Sequence, residues 1–329
     1  MGSSPKLVAY LFGAGATHAE LANLCAKNIT DETFLEKNSL LLANVSKRVC
    51  REAKNDREFS KKIHKLLSPS GLSNIELFIS LLEKNQIEST AEIVKSFKRR
   101  IKKDILERLR RRRKDFYLHK ALFELHKHNS KDEQLTGVIS LNYDGLLDEA
   151  YKVVFGHEPN YCLSQTSGAQ LPLLKLHGGF DLTYRNRKLP IITPGVNKNY
   201  LELPYNFIWG KALELLIEAD ILRVIGCSLS QNDLGIVDLL FKAHVVKKKP
   251  LILQLIDFDP ESNRVKENFG FFPLVQPALE IERGLIADAT IRDHTTGSNP
   301  FKIWLKAKIE RSMGDTEIHK TTYIKRVLE

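Results

Sequence analysis

Paired cysteines are the first thing this chain lacks. Its four cysteines, Cys25, Cys50, Cys162 and Cys227, lie far apart with no C-x-x-C among them. That spacing argues against a zinc module and a disulfide framework, and it fits a reducing cytoplasm. No apolar run approaches the roughly 20 residues needed to span a bilayer. The first apolar run, Leu7–Phe12, is too short for a signal peptide and no small-residue cleavage site follows it. Lys6 stands where a myristoylation motif has Ser or Thr, and no internal repeat is visible. A general excess of positive charge is missing too, although the net charge is +10. Lys95–Lys114 holds twelve Lys or Arg and two acids, which accounts for all of it; the other 309 residues hold 38 charges of each sign.

With 43% apolar and 8% aromatic residues, 329 residues suffice for one large or two ordinary domains with a real core. Leu7–Phe12 reads as a strand buried on both faces, Gly13-Ala14-Gly15-Ala16-Thr17 as a turn without bulky side chains, and the sequence to Leu24 as helix. Strand, glycine turn and helix N-terminus together make an anion site, because backbone N–H groups and the helix dipole favour negative charge there. The third glycine of a G-x-G-x-x-G fingerprint is replaced by His18.

From about Thr30 to Glu133 the chain reads as wholly helical, with one proline (Pro69) and one glycine (Gly71). Ser73 or Asn74 is placed to cap the helix Ile75–Leu82. Phe97, Ile101, Ile105 and Leu109 form one apolar stripe, and basic residues fill the rest of that helix. An α/β pattern then resumes, with strands expected at Gly137–Leu141, Leu171–Leu176, Pro190–Thr193, Ile221–Ile225, Pro250–Ile256 and Ala278–Ile281. Helices are expected at Leu146–Val154, Tyr205–Ala219, Leu234–His244, after Asp257 to about Asn268, and at Phe301–Ile309. The alternation predicts a doubly wound, Rossmann-like parallel sheet interrupted after its first strand–helix unit by a large helical insertion. The expected division is a catalytic domain of residues 1–29 and 134–314, an insertion of 30–133 and a tail of 315–329.

Small or polar clusters follow the expected strands at once: Gly13–Thr17, Asn142–Asp144, His177–Gly179 and Gly226–Ser228, with Asp257 closing a fifth. The carboxyl ends of the strands form the ligand crevice in such sheets, so these clusters should converge. Gly13, Ala14, Gly15 and Ser228 suit a pyrophosphate, and Asp257 suits the hydroxyls of a ribose. Asn142 can orient a second ribose or a water, and His177 can act as base. Asp144 can hold an amide or stabilise developing positive charge. No Ser–His–Asp order, Cys–His pair or metal set is evident, and His126 and His128 do not share a helix face. A dehydrogenase would need its acid after the second strand, where the insertion lies.

These residues resemble the sirtuin family, specifically its bacterial sirtuin-like branch without the zinc module. Gly13-Ala14-Gly15-Ala16-Thr17 resembles the family's G-A-G-x-S, and Ser140-Leu141-Asn142-Tyr143-Asp144 its T-Q-N-x-D. Lys175-Leu176-His177-Gly178 is similar to the stretch with the catalytic histidine, Gly226-Cys227-Ser228 to G-T-S, and Ile256-Asp257 to the I-N at the adenosine ribose. The resemblance implies NAD+ as substrate and cleavage of its nicotinamide–ribose bond, with His177 as base, Asn142 positioning ribose or water, and Asp144 at the nicotinamide. It also implies cofactor contacts at Thr17 and Gly226. The family's S-G-I-P-D-F-R is replaced by Thr17-His18-Ala19-Glu20-Leu21, and its four zinc cysteines are missing. No zinc is therefore expected, and water becomes the simplest acceptor.

The branch includes NAD hydrolases of anti-phage systems, which implies regulation, a homo-oligomer and a separate ATPase- or helicase-type partner. Three functions stay open on the sequence: an NAD+ glycohydrolase, a protein deacylase or ADP-ribosyltransferase, and a nucleic-acid-binding or assembly subunit using Lys95–Lys114. A solvated or protein-docking face is favoured over nucleic acid for that basic helix.

Overall fold

The computed structural model describes residues 4–25, 27, 30–64, 66, 74–85, 90–110, 117–128, 132–165, 170–193, 202–229, 233–257, 268, 275–277, 299–312 and 321–329. Six parallel strands form the sheet: β1 (Lys6–Phe12), β2 (Glu133–Ser140), β3 (Leu173–Lys175), β6 (Ile221–Ile225), β7 (Ile252–Ile256) and β8 (Val275–Pro277). A separate hairpin pairs β4 (Thr183–Tyr184) with β5 (Arg187–Lys188). The sheet order is β3-β2-β1-β6-β7-β8. Counting sheet strands only, this is the 3-2-1-4-5-6 order of a doubly wound Rossmann sheet, whose switch point lies between β1 and β6. No strand forms at Pro190–Thr193; that segment runs beside the site, with the Ile192 amide on the His177 carbonyl (2.9 Å). The strand expected at Ala278–Ile281 and the helix after Asp257 fall largely outside the described residues.

Period-two alternation gives β1 two buried faces. Val8, Tyr10 and Phe12 face a core shared with α7 (Leu118–His128), α8 (Leu146–Phe155), α11 (Pro300–Arg311) and α12 (Thr322–Leu328). Ala9 and Leu11 face the opposite core, with α9 (Tyr205–Glu218) and α10 (Leu234–Val246). Helices therefore cover both faces, as an all-parallel sheet requires. The tail of 315–329 contributes Ile324 and Val327 of α12 to the first core.

α1 (Ala14–Leu24) leads into α2 (Glu32–Asn38), α3 (Leu42–Asn55), α4 (Arg57–Ile63), α5 (Ile75–Lys84) and α6 (Ala91–Leu109). These pack around their own core, in which Phe97, Ile101, Ile105 and Leu109 are all buried. The last helix of the 30–133 interval, α7, packs on the sheet instead. Asn74 caps α5 through the Leu77 amide (2.9 Å), while Ser73 lies outside the described residues.

Part of the basic face of α6, expected to be solvated or to dock a partner protein, pairs inside the insertion instead. Arg100 reaches Asp56 (2.6 Å) and Glu52 (3.3 Å), and Lys103 reaches Glu52 (3.0 Å). Lys98 pairs with Glu83 (2.6 Å), while Arg48 and Arg108 hold the buried Asp104 (2.8 and 2.7 Å). Part of the positive charge thus serves to fasten α3 to α6; residues 111–116 lie outside the described ones.

A polar row crosses the first core. Tyr10, Arg223 and Gln254 are register partners on β1, β6 and β7. Arg223 is fully buried, bonds Gln254 (2.9 Å) and the Tyr10 hydroxyl (3.1 Å), and grips Glu133 with two bonds (2.7 and 2.6 Å). Lys308 adds a third cation-to-carboxylate bond at Glu133 (2.9 Å). Burial opposes ionisation of Glu133, yet Arg223 and Lys308 hold its carboxyl well below the usual range.

His126 is half-buried as a residue, but its ring nitrogens lie inside: Nε2 takes the Tyr10 hydroxyl (2.7 Å) and Nδ1 is closed off from solvent. Burial first, then the Arg223 charge, pushes its pKa down to about 3. Both shifts have one sign for stability. The unfolded chain binds a proton on His126 below about 6.5 while the folded chain resists it, and Glu133 loses its contribution as pH falls below the unfolded carboxylate range. The thermal midpoint should therefore fall between pH 6.5 and 4, and His126→Gln should flatten that slope by up to about 1.4 kcal/mol per pH unit. An unchanged slope in the variant would remove His126 from the account.

Candidate active site

The site starts at the switch point. β1 ends at Phe12 and α1 begins at Ala14, so Gly13 alone joins strand to helix. The Gly13 amide donates to the Ile225 carbonyl (3.0 Å) and the Gly15 amide to the Gly226 carbonyl (2.9 Å). A β-carbon on Gly13 would lie 2.5 Å from Gly226 O, and one on Gly226 would lie 2.2 Å from the Ala16 nitrogen. Gly226 also has φ +58°, a region that disfavours any other residue. The glycines thus let two backbone turns touch. That corrects the expectation of bare amides at Gly13 and Gly15: both are engaged by the end of β6.

Thr17, on the first turn of α1, ties this seam to the end of β2. Asn142 Nδ2 donates to the Gly13 carbonyl (3.0 Å) and to Thr17 Oγ1 (3.1 Å). Thr17 in turn donates to Asp144 Oδ2 (3.1 Å), and Asp144 Oδ1 accepts the Leu146 amide (3.0 Å) at the start of α8. With both amide protons of Asn142 engaged, its Oδ1 is the end left to accept a proton from a ligand. Lys175, buried one strand over, donates to the Asp144 carbonyl and pairs with Asp148 (2.9 Å), which fixes the Asp144 backbone.

His177 follows β3 and is buried, with its Nε2 3.0 Å from Asp233 Oδ2. Asp233 precedes α10, which the β6 turn leads into. The carboxylate holds the ring and can stabilise an imidazolium, as in hydrolase triads. The loop after His177 is clamped to the insertion. Lys98 Nζ donates to the Ile191 carbonyl (2.9 Å), Lys102 Nζ to the Phe180 carbonyl (3.0 Å), and Thr193 to Glu83 (3.2 Å). Between strand end and insertion stands Tyr143, its ring 6.4 Å from that of His177. Its hydroxyl donates to the Ile192 carbonyl (3.3 Å), and burial first, then the charge of the Glu76 carboxylate, pushes its phenol well above the usual value.

One cavity of about 530 Å³ collects these groups. Gly13, Ala14, Gly15, Thr17, Gly226 and Ser228 line it, as do Asn142, Asp144 and His177. Asp257 follows β7, one strand further out, and is not among the lining residues. The insertion's share of the lining is mostly aliphatic, with Leu40, Leu42 and Val45 at the start of α3, Ile75 of α5, and Ile101 and Ile105 of α6, beside Asn74 and Glu76. The insertion thus roofs the site. Asp233 and Lys175 escaped the sequence reading: an Asp before a helix reads as a cap, and a single Lys in Leu171–Leu176 reads as a strand-edge charge. A lone charge inside an apolar run was the available signal for Lys175.

Among the described residues no group of three or more His, Cys, Asp or Glu is placed to hold a metal ion. His119 bonds Glu20 (2.7 Å), His126 bonds Tyr10 and His128 pairs with Glu124 (3.2 Å), so the three histidines serve separate structural contacts. Among the described residues no helix is long and apolar enough to cross a membrane.

No protein-family model matches the sequence, and no curated protein does. Among solved structures the chain is similar to an enzyme from work on the mechanism and regulation of Sir2 enzymes, at 13% identity and TM-score 0.39, over 93% of this chain and 94% of that one. It is also similar to a mutant Sir2 homologue in complex with 2′-O-acetyl ADP ribose, at 12% identity and TM-score 0.39, over 94% and 93% of the two chains. A further mutant Sir2 homologue, in complex with ADP ribose, matches at 13% identity and TM-score 0.35, over 93% of each chain. Likeness at this level says nothing of activity; the Rossmann-like class of the fold rests on the strand order of the chain itself.

Proposed function

We propose that this protein is an NAD+ glycohydrolase, releasing nicotinamide and ADP-ribose. The observation that carries this reading is the meeting of the His177–Asp233 pair with Asn142 and Asp144 in one cavity at the switch point. In the reaction the C1′–N bond breaks and its electron pair leaves with nicotinamide. The ribose passes through an oxocarbenium-like state, whose positive charge Asp144 is placed to offset. Water forms the new C1′–O bond, oriented by Asn142 Oδ1, and its proton passes to His177, whose charged form Asp233 stabilises. NAD+ and water thus give nicotinamide, ADP-ribose and a proton. Small residues at Gly13–Gly15 and Gly226–Ser228 leave room for the pyrophosphate. Water as acceptor fits a cavity that the insertion covers with mostly aliphatic side chains.

On this reading residues 1–29 and 134–314 form the catalytic unit, with α7 and α12 sharing its core and α2–α6 of the 30–133 interval as its cover. The setting that goes with it is a regulated cytoplasmic effector of anti-phage defence, acting by NAD+ depletion as a homo-oligomer with a separate ATPase- or helicase-type partner. The exposed stripe of Leu234, Phe241 and Val245 on α10 offers an apolar surface for such assembly. The direct test is incubation of the pure protein with NAD+, alone, with nucleic acid and with an acyl-lysine peptide, with products identified by mass. NAD+ loss only in the presence of peptide would replace hydrolysis by protein-directed transfer. For nucleic acid itself, the internal pairing of α6 predicts weak filter binding that changes little between two salt concentrations; a steep salt slope would restore the basic helix as a nucleic-acid surface.

A further inference from the structure

We propose that Lys175 is a positioning residue for the cleavage: its buried ammonium fixes Asp144 relative to His177. The inference rests on the NAD+ reading of the site. Lys175 ends β3, two residues before His177, and its side chain is shielded from solvent. Its Nζ donates to the Asp144 carbonyl and pairs with Asp148 Oδ2 of α8 (2.9 Å).

One side chain thereby reaches three segments. The first is the turn after β2, held at the Asp144 carbonyl. The second is α8, where Asp148 takes the ammonium on one oxygen and the Tyr161 hydroxyl on the other (2.5 Å). The third is the turn that follows His177. The Gly178 amide donates to the Lys175 carbonyl (3.0 Å), and a β-carbon on Gly179 would lie 2.8 Å from Lys175 Cε. The lysine stem thus runs through space that Gly179 leaves open. The Phe180 amide closes the circuit on the Tyr143 carbonyl (3.0 Å), next to Asp144 in the chain.

Stability does not call for a charge at this place. Leu173, Leu174 and Leu176 beside it are fully buried, and replacing a buried ion pair by apolar residues of similar volume is often neutral or stabilising. An apolar side chain would fill the space but would make no directed bond to the Asp144 carbonyl. The carboxylate of Asp144 is held by Thr17 of α1 and by the Leu146 amide of α8, neither of which belongs to the strand that carries His177. Lys175 is the side chain that ties Asp144 to that strand. Such alignment matters for rate, because a misplacement of about 1 Å can lower it on the order of 10²-fold.

The test compares, as full chains, wild type, the double variant Lys175→Met with Asp148→Asn, and Gly179→Ala. Methionine keeps the volume of the lysine stem, and the paired change at Asp148 leaves no carboxylate without its cation. Nicotinamide release from NAD+ gives kcat and KM, calorimetry gives ADP-ribose affinity, and NMR signals of the histidine rings report on His177. The double variant should keep its thermal midpoint, and its KM and ADP-ribose affinity within about threefold, with kcat down on the order of 10²-fold and the His177 signals shifted. G179A keeps both charges and crowds only the lysine stem, so kcat should fall about tenfold in the same pattern. It decides alone if the double variant does not fold. Wild-type kcat and His177 signals in a folded double variant would overturn the proposal and reduce Lys175 to a packing role. So would an ADP-ribose loss as large as the kcat loss, which would mean that the cavity itself had deformed. Absent turnover in wild type would sink the glycohydrolase reading, and the His177 signals would then decide for or against Lys175 by themselves. Normal wild-type turnover with both variants indifferent would keep that reading and remove Lys175 from it.

Discussion

His177→Ala is expected to lower nicotinamide release from NAD+ on the order of 10³-fold while leaving ADP-ribose binding nearly unchanged. The base removed is the only imidazole among the described residues lining the cavity, and general acid–base catalysis contributes about 10²–10⁴-fold. Asp233→Asn should keep the hydrogen-bonding geometry but lose the charge that stabilises imidazolium, costing about 10²-fold and shifting the pH–rate profile. Asn142→Ala should cost about 10²-fold and also loosen the seam, because it frees the Gly13 carbonyl and Thr17. A rate assay on the three variants, with thermal midpoints measured alongside, separates these effects. Full activity in both H177A and N142A would end the assignment of this cavity as the active site.

The largest effect on stability is expected at Gly226. Alanine there must adopt φ +58° and place its β-carbon 2.2 Å from the Ala16 nitrogen, 2.4 Å from the Gly15 carbonyl carbon and 2.6 Å from Gly15 Cα. None of these atoms ends a flexible side chain, so β1 and β6 would have to part where they begin the site. Gly156 provides the control: its φ is +78°, but nothing lies within 4 Å of an added β-carbon. Gly156→Ala should cost about 1 kcal/mol, the left-handed penalty alone. Gly226→Ala should cost about 4 kcal/mol, strain plus collision, and should abolish nucleotide binding. Chemical denaturation of the two variants checks the difference; equal losses would mean that the seam tolerates a methyl group.

Much of this architecture is legible in the sequence. Leu7–Phe12 is a continuous apolar run and Ile221–Ile225 is apolar apart from Arg223, and the sheet buries both, so composition and position agree. The convergence of Asn142, His177 and Ser228 followed from where their strands end. What stayed hidden depends on contacts that span distant segments. Asp233 looks like an ordinary residue before a helix, and only the sheet brings it to His177, 56 positions earlier. Glu76 belongs to an insertion whose periodicity marks its core stripe but not which end faces the strand ends. The glycine turn was legible as a turn. Its reason was not, because Gly226, the backbone it touches, lies some two hundred residues downstream. Asp257 closes β7, one strand further out than the strand ends that line the cavity, and its role at a ribose stays a proposal.

The polar row of Tyr10, Arg223 and Gln254 bears on how this sheet finds its alignment. Strands such as Ile221–Ile225 and Ile252–Ile256 are nearly uniform in their apolar residues, and uniform strands pair almost equally well when shifted along one another. A shift of two residues keeps every side chain on its own face, so packing alone scarcely penalises it. In this sheet such a shift would set Arg223 opposite Val8 or Phe12 instead of Tyr10, and away from Gln254. A guanidinium buried without partners is destabilising by about 3–5 kcal/mol. The row thus works as a key that admits a single alignment of the central strands, and the two turns that meet at Gly13 and Gly226 are brought level with each other by it.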